Sequence, residues 1–372
     1  MKTLITNIGQ LVTPESRESG GIGHEAKLTI LRDSSLLIRN GRIASIGATR
    51  TERVDQTVDA QGRAVLPGLV DPGRNYRTYV GASLPDAERQ ELLLRALNCA
   101  AASGLTTVGV KCREGAGVFD ELSLLKHAAR GSVPRIVASL FCSPDRGDPD
   151  EAGGHLSSMI GRAIPTVRTR RLAQFCDVAL GDAGCSIAEG RAILRAARGA
   201  GLELKVSADG GDVDEALRLA AQLDVTSVGF CATPAALSIE RLQSVDVVPV
   251  VLPARSFVTG SPQPNIRPML EQGLSVALGT DQGRSTPGAA SIWMLVALAL
   301  TQLQMTLDEA LTACTYNSAR ALGLGSEVGT LEIGKKADLI ILDINDHRRL
   351  LDELGRNPVR LTMVDGRIIH QS

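Results

Sequence analysis

The chain has 372 residues, of which 44% are hydrophobic, so it can bury a sizeable core. A barrel of about 250 residues with a smaller appended unit fits this length. A formal net charge of −1 offers no basic field to nucleic acid or anionic lipid, and 2% aromatics leave few rings for stacking bases or sugars.

The first residues lack a charged leader running into a long apolar stretch. No run approaches the roughly 18 apolar residues that a membrane span needs. The seven cysteines are an odd number without a Cys-x-x-Cys pair. Reduced thiols and a cytoplasmic location are therefore expected.

In chain order, residues 35–39, a turn at Asn40-Gly41 and residues 42–46 read as a β-hairpin. Apolar, β-branched runs follow at 64–70, 106–111, 135–141, 174–180, 203–206, 225–230, 247–252 and 275–278. Helical patterns separate them at 87–102, 187–198, 213–223 and 235–243, and two more follow at 289–303 and 307–322. Short strands alternating with helices imply parallel βαβ units, and eight units imply a closed (β/α)₈, TIM-like barrel of the α/β class. The polar loop at 143–154 interrupts this barrel without dividing it. The chain closes with a strand at 337–342 and a hairpin, 359–364 and 367–369, about Asp365-Gly366. Both hairpins carry Asn/Asp-Gly-Arg-Ile. Neither terminal β segment can bury a face alone, so residues 1–65 and 328–372 are expected to form one composite β-sandwich beside a barrel of 66–327.

A barrel of this kind places its chemistry at the C-terminal ends of its strands. Strand one runs into Leu66-Pro67-Gly68-Leu69-Val70-Asp71-Pro72, and strand eight into Gly279-Thr280-Asp281. The tail reads Gly329-Thr330-Leu331-Glu332-Ile333-Gly334-Lys335-Lys336-Ala337-Asp338-Leu339. These motifs, in this order, resemble the amidohydrolase superfamily, and within it the imidazolonepropionase family. Residues 4–14, Phe175-Cys176-Asp177-Val178 and Thr301-Gln302-Leu303 carry the same likeness. The resemblance covers nearly the whole chain. It implies a hydrolase of cyclic amides, acting on non-peptide C–N bonds. It also implies a zinc or iron ion held by His-x-His after Val-Asp-Pro, by further histidines on strands five and six, and by a strand-eight carboxylate.

Residue by residue, Gly73 and Asn75 stand where the His-x-His falls. In the run Lys205-Val206-Ser207-Ala208-Asp209-Gly210, Ser207 takes the strand-five ligand position and Gly210 that of an adjacent glutamate. The strand-six position falls near Gly229, and only Asp281 keeps the resembling residue type. A glycine-rich segment after strand one is shortened here to about residues 76–86. A divalent ion needs three or four N, O or S ligands in fixed geometry. No metal cofactor is expected: the ancestral zinc or iron site reads as lost. None of the five histidines (His24, His127, His155, His347 and His370) falls at a predicted strand end, and all read as surface or loop residues.

Asp281 is the remaining candidate catalytic residue, either as a general base or as a simple acceptor for backbone amides. Lys111 could be a carbamylated bridging ligand, but the resembling family is mononuclear. Cys112, Cys142 and Cys231 fall at the ends of strands two, three and six, where a thiol cluster could bind a soft metal or supply a nucleophile. The competing reading is three small buried hydrophobes. A glycine-rich stretch at 283–288 is a weak anion-binding candidate.

The expected function is a non-catalytic binding or scaffolding protein, a pseudoenzyme with a protein partner or a small cyclic ligand. Neither nucleic acid nor membrane is expected as a partner, and self-association is left open. The alternative is a divergent, metal-independent hydrolase of cyclic amides built on Asp281.

Overall fold

The computed structural model describes residues 1–16, 27–47, 53–76, 84–115, 117–143, 152–181, 184–208, 213–281 and 291–372. Residues 144–151, 209–210 and 283–288, most of the shortened segment and His24 lie outside them, as do the readings placed there. The strands are β1 (Lys2–Pro14), β2 (Leu28–Arg39), β3 (Arg42–Ile46), β4 (Gln56–Asp59), β5 (Ala64–Pro67), β6 (Leu69–Asn75), β7 (Leu105–Arg113) and β8 (Arg135–Cys142). They continue as β9 (Phe175–Leu180), β10 (Glu203–Ala208), β11 (Ser227–Phe230), β12 (Val248–Val251), β13 (Ala277–Leu278), β14 (Leu339–Leu342), β15 (Val359–Val364) and β16 (Arg367–Gln371). Two eight-stranded sheets result.

The first sheet joins the two ends of the chain. Its order is β16-β15-β14-β5-β1-β2-β3, with β4 also paired to β1. The terminal strands therefore belong to one curled sheet. Its outer strand β3 reaches back to the tail, where Ile43 N donates to Lys335 O (2.9 Å) and Ala337 N donates to Gly41 O (2.8 Å). Ile5, Ile8, Leu36, Ile38, Leu339 and Met363 fill the core inside the curl.

Both Asn/Asp-Gly turns put two consecutive residues at positive φ: Asn40 (50°) and Gly41 (80°), then Asp365 (47°) and Gly366 (72°). Two positive φ values are what a two-residue I′ hairpin turn demands. The turns also abut each other, since a Cβ on Gly41 would lie 2.7 Å from Asp365 O.

The second sheet is the barrel, running in strict chain order from β6 to β13 with every neighbouring pair parallel. The first barrel strand was expected to run unbroken over 64–70. The chain instead divides at Gly68, so that β5 serves the terminal sheet and β6 the barrel. Gly68 is required at this crossing because a Cβ there would lie 2.1 Å from the Thr106 side chain. The gap between β6 and β13 is stitched by the Asp of the Val-Asp-Pro motif. Buried Asp71 accepts from Thr280 N (3.1 Å), Thr280 Oγ1 (2.5 Å) and Arg74 Nε (2.5 Å).

Strand pleating divides the side chains between two layers. Val110, Cys112, Leu140, Cys142, Cys176, Val178, Val206 and Val228 pack outward against the helices. Val70, Val137 and Phe175 cluster inside the barrel, as do Val248, Val250 and Leu252. The helix Ile187–Gly199 starts on a capping box between Ser186 and Glu189.

His347 departs from the surface reading of the histidines. It is buried, and its Nδ1 lies 3.0 Å from Gln10 Oε1. Burial holds its pKa below the usual histidine range. Among the described residues no helix is long and apolar enough to cross a membrane.

Candidate functional site at the barrel mouth

Strand pleating aims Lys111 of β7, Asp177 of β9 and Lys205 and Ser207 of β10 into the barrel. Lys111, Asp177 and Ser207 form one hydrogen-bonded group. Lys111 Nζ lies 3.1 Å from Asp177 Oδ2 and donates to Ser207 Oγ at 2.7 Å, and Ser207 Oγ donates in turn to Asp177 Oδ1 at 2.9 Å. The aspartate is almost fully buried and the lysine nearly so, at 2% and 13% side-chain exposure. The Lys111 ammonium also sits 4.9 Å from the centre of the Phe141 ring, within range of a cation–π attraction.

One layer deeper, Lys205 Nζ donates to Pro72 O (3.3 Å) and lies 4.5 Å from the centre of the Phe175 ring. Burial pulls the Lys205 pKa down to about 7, Asp177 opposes this, and the Lys111 cation reinforces it.

The positions singled out from the sequence surround this group. Gly73 is on β6, and a Cβ placed there would sit 3.5 Å from Lys111 Cε. Asn75 ends β6 in register with Lys111. Ser207 is fully engaged as described. Gly229 pairs with Ser207 across β10 and β11, and its Cβ position is 3.9 Å from Ser207 Oγ. Asp281 follows β13 at a left-handed φ of 42°, and its Oδ2 lies 3.5 Å from Nη1 of Arg255, on the helix Pro253–Thr259 after β12.

The expected trio of Cys112, Cys142 and Cys231 does not assemble. Cys112 and Cys142 point outward, and half-buried Cys231 packs against the inner cluster of Val248, Val250 and Leu252. Reading strand ends without the pleat placed them on one mouth.

In the barrel wall, Cys142 meets two residues that sequence reasoning passed over. Its Sγ lies 3.2 Å from His155 Nε2 and 3.6 Å from Cys185 Sγ. Glu114 stands at the other side of the imidazole, its Oε1 3.8 Å from Nδ1, and accepts from Ser143 N at 2.9 Å. His155 is thus no surface residue. Its pKa is raised by its hydrogen bond to Cys185. The Cys185 thiol is lowered by its hydrogen bonds from Cys142 and His155, although burial opposes this. Burial pushes the Glu114 carboxyl up to about 7, against the pull of His155 and the Ser143 amide. Cys185 immediately precedes the Ser186 cap, and its amide donates to Ala179 O (2.8 Å), which holds it at the end of β9.

Fold and mouth together define a TIM-barrel protein whose two chain ends build one accessory sheet. An amidohydrolase family model matches residues 185–369. Imidazolonepropionase of Solibacter usitatus is 31% identical over 99% of this chain and 98% of its own length. That of Deinococcus deserti is 32% identical over 96% and 97%. Among solved structures, a triazine hydrolase variant superposes with a TM-score of 0.79 at 18% identity, covering 99% of this chain and 94% of that one. Guanine deaminase of E. coli gives 0.77 at 18%, covering 100% and 99%. The chain belongs to the amidohydrolase family, among the homologues of imidazolonepropionase.

Proposed function

We propose that this chain is a non-catalytic member of its family. In this reading it binds a small cyclic amide at a barrel mouth that carries its own cation, the Lys111 ammonium, in place of a metal ion. The observation that carries the reading is the pairing of Lys111 with both Asp177 and Ser207. The donors at the mouth do not fit zinc or iron. Gly73 and Gly229 offer no side-chain ligand, Ser207 and Asp177 are committed to the ammonium, and Asp281 faces the guanidinium of Arg255. A second positive charge beside Lys111 would be repelled.

Without a Lewis acid, general-base help from Asp281 would contribute about 10²–10⁴-fold, well below the roughly 10⁶-fold and more of enzymatic acceleration. Lys111 and the inward-facing polar groups can still donate to a carbonyl oxygen, which suffices for recognition.

The test is a turnover assay with fresh imidazolone propionate, with and without added zinc. No turnover is expected, while calorimetry should detect binding of cyclic amides that weakens in Lys111→Met. A rate on the order of 1 s⁻¹ or more, within the ordinary enzymatic range, would overturn the reading. Its persistence in chelator-treated, metal-free protein, together with its loss in Asp281→Asn, would then establish metal-independent hydrolysis.

A further inference from the structure

We propose that Cys142, His155 and Cys185 form a zinc site in the barrel wall, separate from the mouth and independent of the function proposed for it. The three ligand atoms all lie within 4.8 Å of one another, and among the described residues this is the one such group of His, Cys, Asp or Glu. The spacing fits a tetrahedral ion. Zn–S bonds of about 2.3 Å and Zn–N bonds of about 2.0–2.1 Å put neighbouring sulfurs about 3.8 Å apart, and sulfur and nitrogen about 3.5 Å apart. The observed separations are 3.6 Å for the two sulfurs and 3.2 Å for Cys142 Sγ and His155 Nε2.

The donor set is suited to the ion. Two thiolates and a neutral imidazole around Zn²⁺ leave no net charge, which lowers the cost of burial. Both Cys142 and Cys185 are buried. Binding would release the two thiol protons to solvent.

Glu114 supplies the outer shell. Its carboxylate faces Nδ1, while Nε2 is the ring nitrogen beside Cys142 Sγ. A metal-bound histidine ordinarily presents that nitrogen to a carboxylate, which fixes the tautomer. The Ser143 amide donates to both Glu114 oxygens and Arg113 Nη2 donates to Ser143 Oγ, so the carboxylate is itself anchored. The ion would staple the end of the third barrel strand, β8, and the start of the helix Ile187–Gly199 to the helix Ala152–Ser158.

The experiment uses the full chain, purified under reductant and loaded with Co²⁺ or Zn²⁺. Cobalt should give one ion per chain, with intense near-ultraviolet thiolate-to-metal absorption and tetrahedral bands in the visible. Zinc should raise the melting temperature, and a chelator should reverse the rise. Cys185→Ser and His155→Ala should abolish the cobalt spectrum. Should these variants fail to fold, Glu114→Gln, which keeps all three ligands, should weaken zinc by about 10–100-fold. Asp281→Asn should leave the cobalt spectrum and the zinc-induced rise in melting temperature unchanged.

Absence of the thiolate band from the reduced wild-type chain would overturn the proposal and leave the reading of the mouth intact. So would unchanged metal content in Cys185→Ser. Metal held by wild type but lost in Asp281→Asn would overturn both.

Discussion

Inside the barrel, Lys111, Asp177 and Ser207 satisfy one another: a cation, an anion and a hydroxyl close a hydrogen-bonded triangle. In the wall, Cys142, His155 and Cys185 also converge, but every member is a donor atom for a metal and none carries a permanent positive charge. The first cluster stands on inward-facing positions of β7, β9 and β10, whereas the second joins the outward-facing end of β8 to His155 and Cys185, which lie off the strands. The difference teaches that convergence of polar groups is not in itself a site. What decides is whether the charges of the group already sum to a stable arrangement. The mouth has supplied its own counter-ion, and the wall has not.

The largest expected effect breaks that internal neutrality. Lys111→Met strands the Asp177 carboxylate in a buried place and should cost about 3–5 kcal/mol in denaturant unfolding. Pairing it with Asp177→Leu should recover most of the loss. A double variant no more stable than the single one would show that the ion pair is incidental.

Ser207→Ala removes the hydroxyl shared by both charged partners and should cost about 1–3 kcal/mol, read in the same titration. A loss as large as that of Lys111→Met would mean that the hydroxyl, not the charge pair, organises the mouth.

A smaller effect comes from pH. The Lys205 amine loses its proton near pH 7 in the fold, whereas the unfolded lysine keeps its own to about 10.5. Between these limits the unfolded chain binds one more proton, so stability should rise with pH, by at most about 1.4 kcal/mol per unit. Melting curves between pH 7 and 9 should show the rise, and Lys205→Met should flatten it. A slope unchanged in that variant would assign it to another group.

The smallest effect tests whether a resembling ligand position still matters. Gly229→Ala meets no atom closer than 3.9 Å. It should shift stability by no more than about 0.5 kcal/mol. A large loss would reveal a constraint at the strand-six position.

Much of this architecture was legible because it is periodic. Eight apolar runs separated by helical patterns specify eight parallel strands, and the paired Asn-Gly and Asp-Gly turns specify the hairpins. The division at Gly68 was not legible, because residues 64–70 are apolar throughout and only the approach of Thr106 shows where the chain changes sheet. At the mouth, Gly73, Asn75, Ser207 and Gly229 lie on their strands and Asp281 follows β13, but sequence does not foretell what fills the space between them. In the sequence Lys111 reads only as a carbamylated ligand, and Asp177 only as part of a likeness. Counting the pleat from Lys111 would have sent Cys112 outward and brought Lys111 and Asp177 together. The thiol cluster depends on His155 and Cys185, which sit off the strands, where spacing along the chain says little about distance in space.

The terminal sheet has a consequence for the order of folding. Its strand β5 pairs on one side with β1, made early, and on the other with β14, where Leu66 faces Ile340. Until residues 339–364 have been synthesised, β5 presents an open edge of unpaired amides and carbonyls, beside an apolar surface meant for Leu339, Ile341 and Met363. Such an edge invites pairing with other chains. Contacts this distant in sequence also form slowly. During synthesis the N-terminal strands must therefore wait, exposed, for almost the whole barrel to be made, and this interval is when a nascent chain would most need protection from aggregation.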